Sequence, residues 1–332
     1  MLHLDRSRRK SASRVAVNIV SDRVQSRRFA SAHMIPASIY RRGLVRRIRV
    51  DQQEIDEVHF KLANTLGQRE QAFRLVHHSY VERGIATPTR SGLVFSPFHI
   101  LPGTTTFIAE KEGAVIGTVS LIEDSPIGIP MEAVHPAEIA AMRYNGRRFA
   151  EVGTLSVASG IRGRGIPLML YNTLFRWARR HRMIEDLVIA VHPKVRKFYC
   201  DGLLFERLGP DRQYHSLNGA LSTPLHIDLT TGASRYRDFY DKGGMEIAIG
   251  DRRTNLYRFF VEDVVENIKL PHRPCFPFDL SCPPVWTEHD VAAYMLACRA
   301  EVNQQSRQIQ KTFQTLYPGL AEQSFHQEPS DK

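Results

Sequence analysis

At 332 residues, with 42% hydrophobic and 24% charged side chains, the chain has the composition of a globular protein, and no apolar run nears the roughly 20 residues of a membrane-crossing helix. The length exceeds one small core, so one catalytic domain of about 150 to 200 residues with terminal extensions is expected. A net charge of +10 invites a nucleic-acid reading, yet residues 1–50 alone hold 13 of the 45 Lys and Arg and only 2 of the 35 acidic residues. The remaining body is close to neutral, which excludes a basic nucleic-acid face spread over the whole molecule.

That first segment, with Arg6, Arg8, Arg9, Lys10, Arg41, Arg42, Arg46, Arg47 and Arg49, is rich in Ser and buries little apolar surface. Such a composition is expected to stay disordered. Its expected contact is peripheral, with an anionic membrane surface, and no specific nucleic-acid partner is assigned. Residues 15–20 are too short for the apolar core of a secretory signal, and Asn18 interrupts them. Cys200, Cys275, Cys282 and Cys298 show neither a Cys-x-x-Cys spacing nor a His cluster, so no metal site and no disulfide framework is read, and a reducing cytoplasm suits them.

From Phe60 the pattern becomes that of a folded domain. Ala72, Phe73, Val76 and Tyr80 recur at helical spacing over residues 71–81. Residues 83–103 carry Gly84, Pro88, Gly92, Pro97, Pro102 and Gly103 and read as loop. Two β-rich runs, 105–109 and 114–122, flank Glu110 to Gly113 as a hairpin. A helix is expected over 136–143, then a buried strand over 149–157, a Gly/Arg turn over 159–165 and a helix over 166–181. Residues 186–191 read as a further buried strand, 194–201 as helical and 224–229 as a last strand. Beyond residue 230, Leu256, Phe259, Phe260, Asp263, Val264 and Lys269 describe an amphipathic helix. A Pro-rich linker follows over 271–284, and a final long helix begins at Thr287, where Asp290 completes a capping box. The expected organisation is therefore a basic arm (1–50), a mixed α/β domain (51–230) and a helical C-terminal extension (231–332).

Two features carry chemistry. Glu151 interrupts an otherwise apolar central strand, where a carboxylate costs stability unless it is paired, solvated or functional. An ion pair with Arg147 or Arg148 competes with a role as general base. Arg162, Gly163, Arg164 and Gly165 form a strand-to-helix turn that suits an anion, because glycines let backbone N–H groups approach and the helix N-terminus adds partial positive charge. A purely structural turn is the competing reading. The adjacent His77 and His78 point in different directions on a helix and read as surface residues.

In context, these residues resemble the GNAT superfamily. Glu151, Val152, Gly153, Thr154, Leu155, Ser156 and Val157, followed five residues later by Arg162-x-x-Gly165, resemble its central strand and acyl-carrier loop; Pro167 stands where the family places Gly or Ala. Residues 186–192 with Phe198, Tyr199 and Phe205 resemble its next strand and Phe-Tyr helix, with Leu204 in place of a glycine. Within the superfamily the sequence is most similar to N-acyl amino acid synthases of the FeeM type, themselves similar to acyl-homoserine lactone synthases. The motifs are Tyr80-x-x-x-Gly84, Gly117 to Leu121 with Asp124 and Ser125, Gly128-Ile129-Pro130-Met131, Ala150-Glu151-Val152, and His192-Pro193. The resemblance implies a GNAT fold with a mixed central sheet, and direct acyl transfer from an acyl carrier protein or coenzyme A thioester to the amine of an amino acid. It implies no tightly bound cofactor. Glu151 would be the general base and Tyr199 would hydrogen-bond the leaving thiolate. Backbone N–H groups at Leu155 and Val157 would face the thioester oxygen, while Arg162, Gly163, Arg164 and Gly165 would hold the donor. Arg176, Arg179, Arg180, Lys194, Arg196 and Lys197 would meet an acidic carrier protein. A lactone synthase-like enzyme and a non-catalytic acyl-carrier or lipid-binding module are the alternatives.

Overall fold

Local signals set most element boundaries. The computed structural model describes residues 37–46, 48–161, 165–214, 218–250, 252–262, 268–270 and 286–320. In chain order come α1 (Ala37–Val45), β1 (Arg49–Val50), α2 (Gln52–Ile55), β2 (His59–Leu62) and α3 (Leu66–Glu82). Then follow β3 (Thr104–Lys111), β4 (Ala114–Glu123), α4 (Pro136–Tyr144), β5 (Phe149–Val157), α5 (Ile166–Arg180) and β6 (Asp186–Val191). The next are β7 (Glu206–Arg207), β8 (Arg212–Tyr214), β9 (Ala220–Asp228), α6 (Leu229–Tyr236), β10 (Ile247–Ile249), β11 (Arg252–Thr254) and β12 (Ile268–Lys269). Last come α7 (Glu288–Ala297), α8 (Arg299–Val302) and α9 (Arg307–Leu316). Thr65 and Gln68 close a capping box at α3, and Thr287 and Asp290 do the same at α7. Glu112 at φ 52° and Gly113 at φ 79° supply the two positive-φ residues of a tight hairpin between β3 and β4.

A nine-stranded mixed sheet runs in the order β12, β2, β3, β4, β5, β6, β9, β7, and β8 also pairs with β9. Pairing is parallel for β12 with β2 and for β5 with β6, and antiparallel elsewhere. A separate three-stranded sheet joins β1 to β10 and β11. Alternation along the strands sorts side chains between two faces. Phe107, Ala109, Val119, Leu121 and Val152 enter the main core beneath α5, whereas Ile122, Phe149 and Val188 enter a smaller one with Ile139 and Met142 of α4. Helix α5 is buried nearly throughout, and Gly117 lets it approach β4: a Cβ there would lie 2.9 Å from Ile166 Cγ2. A third cluster joins Phe73 and Ile100 to Trp286, Val291, Tyr294 and Phe313 of the C-terminal helices.

The architecture is the expected mixed α/β one, with a mixed central sheet and helices in the C-terminal region, but several details differ. Residues 37–46 and 48–50 are structured: Leu44, Val45, Ile48 and Val50 are buried, so the segment expected to be disordered contributes to the core from α1 onward. Residues 1–36 lie outside the described residues. The segment 194–201 is not one α-helix; a 3-10 turn at Pro193–Val195 is followed by a π-helical turn at Phe198–Gly202. The helix expected from Leu256 ends in a π-helical turn at Arg258–Glu262, Asp263 and Val264 lie outside the described residues, and Lys269 belongs to β12 beside β2. The final helix is broken into α7, α8 and α9. The Pro-rich linker over 271–284 lies outside the described residues. Tyr236, Tyr240, Phe259 and Phe260 enter the main core, so the segments 231–250 and 252–262 both contribute to it.

Candidate active site

The site is built around β5, because that strand changes neighbours along its length. Phe149, Ala150 and Glu151 pair with Asp186, Leu187 and Val188 of β6, and there the parallel ladder stops. From Val152 onward β5 keeps only β4 as sheet partner, with one extra residue on β5 between the Ser120–Gly153 and Thr118–Ser156 pairs. Thr154 sits in this bulge at φ 53°, a left-handed conformation that a β-branched residue adopts at a cost of about 1–2 kcal/mol. Its Oγ1 donates to Ser120 Oγ at 3.0 Å. Bulge and open edge together splay β5 from β6 immediately after Glu151, and Gly153, Thr154 and Leu155 are the partly exposed residues of the strand.

Glu151 is 5% exposed. Its Oε2 accepts the Met131 N–H at 2.7 Å. Burial pushes its carboxyl up to about 8, against the opposing effect of that hydrogen bond. The competing ion pair is not formed. Arg147 pairs with Asp186 and Asp228, and Arg148 Nη2 lies 3.7 Å from Glu123. Burial raises the Tyr80 and Tyr214 phenols, and the Glu151 carboxylate raises each further. Tyr214 also donates to the Pro130 carbonyl at 2.8 Å.

Tyr199 lies on the other face of the sheet. It belongs to the core beneath α5, and its hydroxyl is 2.7 Å from that of Tyr171 in α5. Burial raises both phenols, so both are neutral at pH 7. Glu151 shares its face with Phe149 and α4, and no described hydrogen bond joins it to Tyr199. Leu155 and Val157 follow the bulge, and the Val157 side chain is buried opposite Gly117. On the same strand, Ser156 Oγ is buried with no hydrogen-bond partner among the described residues. After the π-helical turn Phe198–Gly202, Leu204 lies at φ 56°, a left-handed conformation that glycine adopts without strain. Carbonyls around this turn are fixed by the C-terminal region: Tyr236 donates to Leu203 at 2.6 Å, and Tyr240 donates to Gly202.

Of the donor-loop candidates, Arg162, Gly163 and Arg164 lie outside the described residues. Gly165 is the N-cap of α5 at φ 92°, and a Cβ there would lie 2.8 Å from Val50 Cα. Pro167 occupies the first turn of α5, where its missing N–H breaks no intrahelical bond. The basic set divides. Arg176 is buried and donates to Asn172 and to the Phe259 carbonyl, while Arg179 and Arg180 donate to the carbonyls of Leu229 and Val261. These three clamp the following chain; Lys194 and Lys197 are exposed and Arg196 half-buried. His77 Nε2 accepts from the Thr89 N–H at 3.1 Å and exposed His78 faces Glu82 at 3.2 Å. Among the described residues no His, Cys, Asp and Glu group is arranged to hold a metal, Cys200 and Cys298 are free, and no helix is long and apolar enough to cross a membrane. A cavity of about 450 Å³ lies between Ser125, Gly128, Glu132 and Arg143 on one side and Ser306 and Ile309 on the other. None of the candidate residues lines it, so size alone does not locate the chemistry.

Sequence reasoning gave no role to Met131, Tyr80 or Tyr214. Met131 and Tyr80 were visible only as parts of family motifs. Tyr214 had no signal, since its position depends on the pairing of β8 with β9.

A mixed sheet that opens beside a buried carboxylate, with α5 following the same strand, is the arrangement on which the comparisons bear. Residues 71–228 match the family model described as N-acyl amino acid synthase FeeM, which bears out the resemblance and extends from α3 to the end of β9. Among solved structures, FeeM from uncultured soil microbes is 25% identical, with a TM-score of 0.48 over 53% of this chain and 93% of its own. The acyl-homoserine lactone synthase LasI is 15% identical, with a TM-score of 0.39 over 52% of this chain and 89% of its own. The CoA-dependent acyl-homoserine lactone synthase BjaI, solved with SAM and isopentyl-CoA, is 17% identical, with a TM-score of 0.41 over 59% and 95% of the two chains. No curated protein matches the chain.

Proposed function

We propose that this enzyme transfers an acyl group, of long chain, from the thioester of an acyl carrier protein or of coenzyme A to the amine of an amino acid, releasing an N-acyl amino acid. The observation that carries this reading is Glu151, a buried carboxyl with a proton affinity near neutrality, placed where β5 leaves β6. An acceptor arrives mainly as ammonium, and the ionised Glu151 takes one proton from it. The freed amine adds to the thioester carbonyl, forming the C–N bond, while N–H groups of the bulged segment at Leu155 and Val157 stabilise the oxyanion. Collapse breaks the C–S bond, and the nitrogen loses a second proton to solvent. The Tyr199 hydroxyl, 2.7 Å from that of Tyr171, stays neutral and steadies the departing thiolate by a hydrogen bond until solvent protonates it. No covalent enzyme intermediate and no tightly bound cofactor is required.

Arg162, Gly163, Arg164 and Gly165 are assigned to the phosphopantetheine or CoA phosphates, and Lys194, Arg196 and Lys197 to the acidic face of a carrier protein. The basic segment ahead of residue 37 is assigned peripheral contact with anionic membrane on the cytoplasmic side.

The test supplies matched acyl-carrier-protein and acyl-CoA donors with all twenty amino acids, and separately adenosylmethionine, and follows product by mass spectrometry. N-acyl amino acid supports the proposal, a lactone product selects the synthase-like alternative, and no product from any pair selects a non-catalytic carrier- or lipid-binding role.

A further inference from the structure

One peptide group beside Glu151 is gripped from both ends. Its N–H, of Met131, donates to Glu151 Oε2 at 2.7 Å, and its C=O, of Pro130, accepts from the Tyr214 hydroxyl at 2.8 Å. In a trans peptide these two groups point in opposite directions, so Tyr214 and Glu151 stand on opposite sides of a single planar amide. Tyr214 reaches the carboxylate through that amide.

The grip is built from segments far apart in sequence. Tyr214 ends β8, and Arg212 at its start brings Nη1 to 2.8 Å from His135 Nδ1 and to 2.8 Å from both carboxylate oxygens of Glu138. With Nδ1 accepting from Arg212, the imidazole proton lies on Nε2 and donates to Ser222 Oγ of β9 at 3.0 Å. Burial and the Arg212 charge both lower the His135 imidazole and keep it neutral. The backbone N–H of His135 donates in turn to the Met131 carbonyl at 2.8 Å. The carbonyls of Pro130 and Met131 are thus both fixed, one from β8 and one from the start of α4, with the Met131 N–H aimed at Glu151. At its tip the β8–β9 hairpin is tied once more, by Asn218 Nδ2 donating to the Gly84 carbonyl at 2.7 Å.

A hydrogen bond to an amide oxygen draws charge from the amide nitrogen and makes its N–H a better donor; bonds linked in this way strengthen one another by about 10 to 30%. A stronger N–H bond favours the ionised carboxyl over the neutral one. The ionised form is the one that takes a proton, and the Met131 N–H is what opposes burial at Glu151. The same bond engages Oε2, which leaves Oε1 for the acceptor's ammonium. The other titratable group facing Glu151 is the Tyr80 phenol of α3, raised like that of Tyr214 and neutral at pH 7. Arg83, at the end of α3, acts on Tyr80 and holds a partner of its own. Ile122 of β4, Val188 of β6, and Ile139 and Met142 of α4 bring no charge. The charged groups of α4 are paired elsewhere, Glu138 with Arg212 and Arg143 with Asp124 and Glu132.

We propose that Tyr214 is a positioning residue for acyl transfer: through the peptide between Pro130 and Met131 it aims and strengthens the N–H that holds Glu151 in its proton-accepting form. The assignment rests on the transfer reading. It gives the β8–β9 hairpin a part in the chemistry although the hairpin carries no reacting atom.

The test titrates Glu151 in the full chain, free of substrate, by NMR of isotope-labelled glutamate carboxyls, its signal identified by its loss in Glu151→Gln. Tyr214→Phe keeps the ring and removes only the hydroxyl. Its Glu151 signal is expected to titrate about half a unit or more above that of wild type. With any amino acid that wild type acylates, kcat of the variant should be about 3-fold or more lower on the rising acidic limb and converge toward wild type at high pH, with KM for the donor within about 2-fold. A hydroxyl that only braces the fold would lower the thermal midpoint and leave the titration in place, so coincident titration curves overturn the proposal. The wild type carries a second test that needs no substitution at Tyr214. Its Met131 amide signal must shift through the same ionisation as Glu151, and a flat Met131 signal overturns the proposal as well. Because the titration needs no substrate, the two readings fail separately. Absence of product from wild type with every acceptor overturns acyl transfer, and with it the part of Tyr214 in the reaction, whereas product together with coincident titration curves overturns the Tyr214 assignment alone.

Discussion

Glu151 couples activity to stability through one proton. Its carboxyl is held near 8 in the folded protein against an ordinary 4.5, and burial is the main cause. The folded chain therefore binds a proton that the unfolded chain releases between about pH 4.5 and 8. The stability gained by keeping the group neutral is complete below that window and lost as pH rises through it. Catalysis runs the other way, since only the ionised form accepts a proton. Wild-type transfer should thus climb toward pH 8 while the protein loses up to a few kcal/mol of stability over the same range. Glu151→Gln keeps the acceptor for the Met131 N–H but cannot titrate. It should turn over about 100-fold slower or worse, and its unfolding midpoint in urea should vary less between pH 5 and 9. A variant with wild-type rates across that series would remove Glu151 from the mechanism. Gly165 illustrates a different residue-scale constraint, because it combines φ 92° with backbone packing against Val50. Gly165→Ala is expected to cost about 2 to 4 kcal/mol in the absence of any donor. Equal thermal midpoints for Gly165→Ala and wild type would show that the contact relaxes easily.

At the scale of elements, legibility follows how local the determinants are. The strands β3, β4, β5 and β6 declare themselves by apolar, β-branched runs, and α3 and α7 by their capping boxes, so residue order alone indicates them. Strands such as β1, β10 and β12 have two or three residues, and only partners brought from elsewhere in the chain make them strands. The bulge at Thr154 and the turn at Leu204 were hidden because neither residue type favours positive φ. Surrounding contacts impose both conformations. Glu151 was legible as an acid in an apolar strand, but its surroundings depend on loop and hairpin contacts that no spacing encodes.

The C-terminal helices dock by equally non-local means. Arg69 of α3, 2% exposed, stacks over Trp286 at 4.5 Å and pairs with Asp290 at 3.4 Å. His99 stacks on Phe73 at 4.7 Å, and its carbonyl accepts from Trp286 Nε1 at 2.9 Å. Burial lowers the His99 imidazole from 6.5 to about 4, so the docked region holds it neutral. The resulting stability is full above about pH 6.5 and lost as pH falls toward 4, by up to about 3 kcal/mol. Trp286 emission should therefore report loosening of this region on acidification, shifted to lower pH in His99→Phe. Superimposable acid transitions in the two proteins would place the sensitive group elsewhere.

For the whole molecule, the boundaries suggested by composition are not those of the core. The charge-rich start reads as a tail, yet its last part delivers Val45, Ile48 and Val50 to the main core and buries Leu44 beside it, and β1 pairs with β10 from about 200 residues further on. Tyr236, Tyr240, Phe259 and Phe260 enter that core from beyond residue 230, so both ends of the sequence close over α5. A chain beginning at Asp51 would leave β10 without β1 and expose the surface that Val50 covers at Gly165. Burying four apolar side chains is worth several kcal/mol, so this truncation should lower the thermal midpoint by about 10 °C or more. One beginning at Ala37 removes charge but none of these contacts. It should melt as the full chain does and keep turnover with a soluble donor, while losing any salt-sensitive adsorption to anionic vesicles. Melting curves for the two truncations beside the full chain decide the matter: an unaltered midpoint for the chain starting at Asp51 would show that β1 and α1 contribute nothing to the fold, and a collapse of the chain starting at Ala37 would extend the structured region toward residue 1.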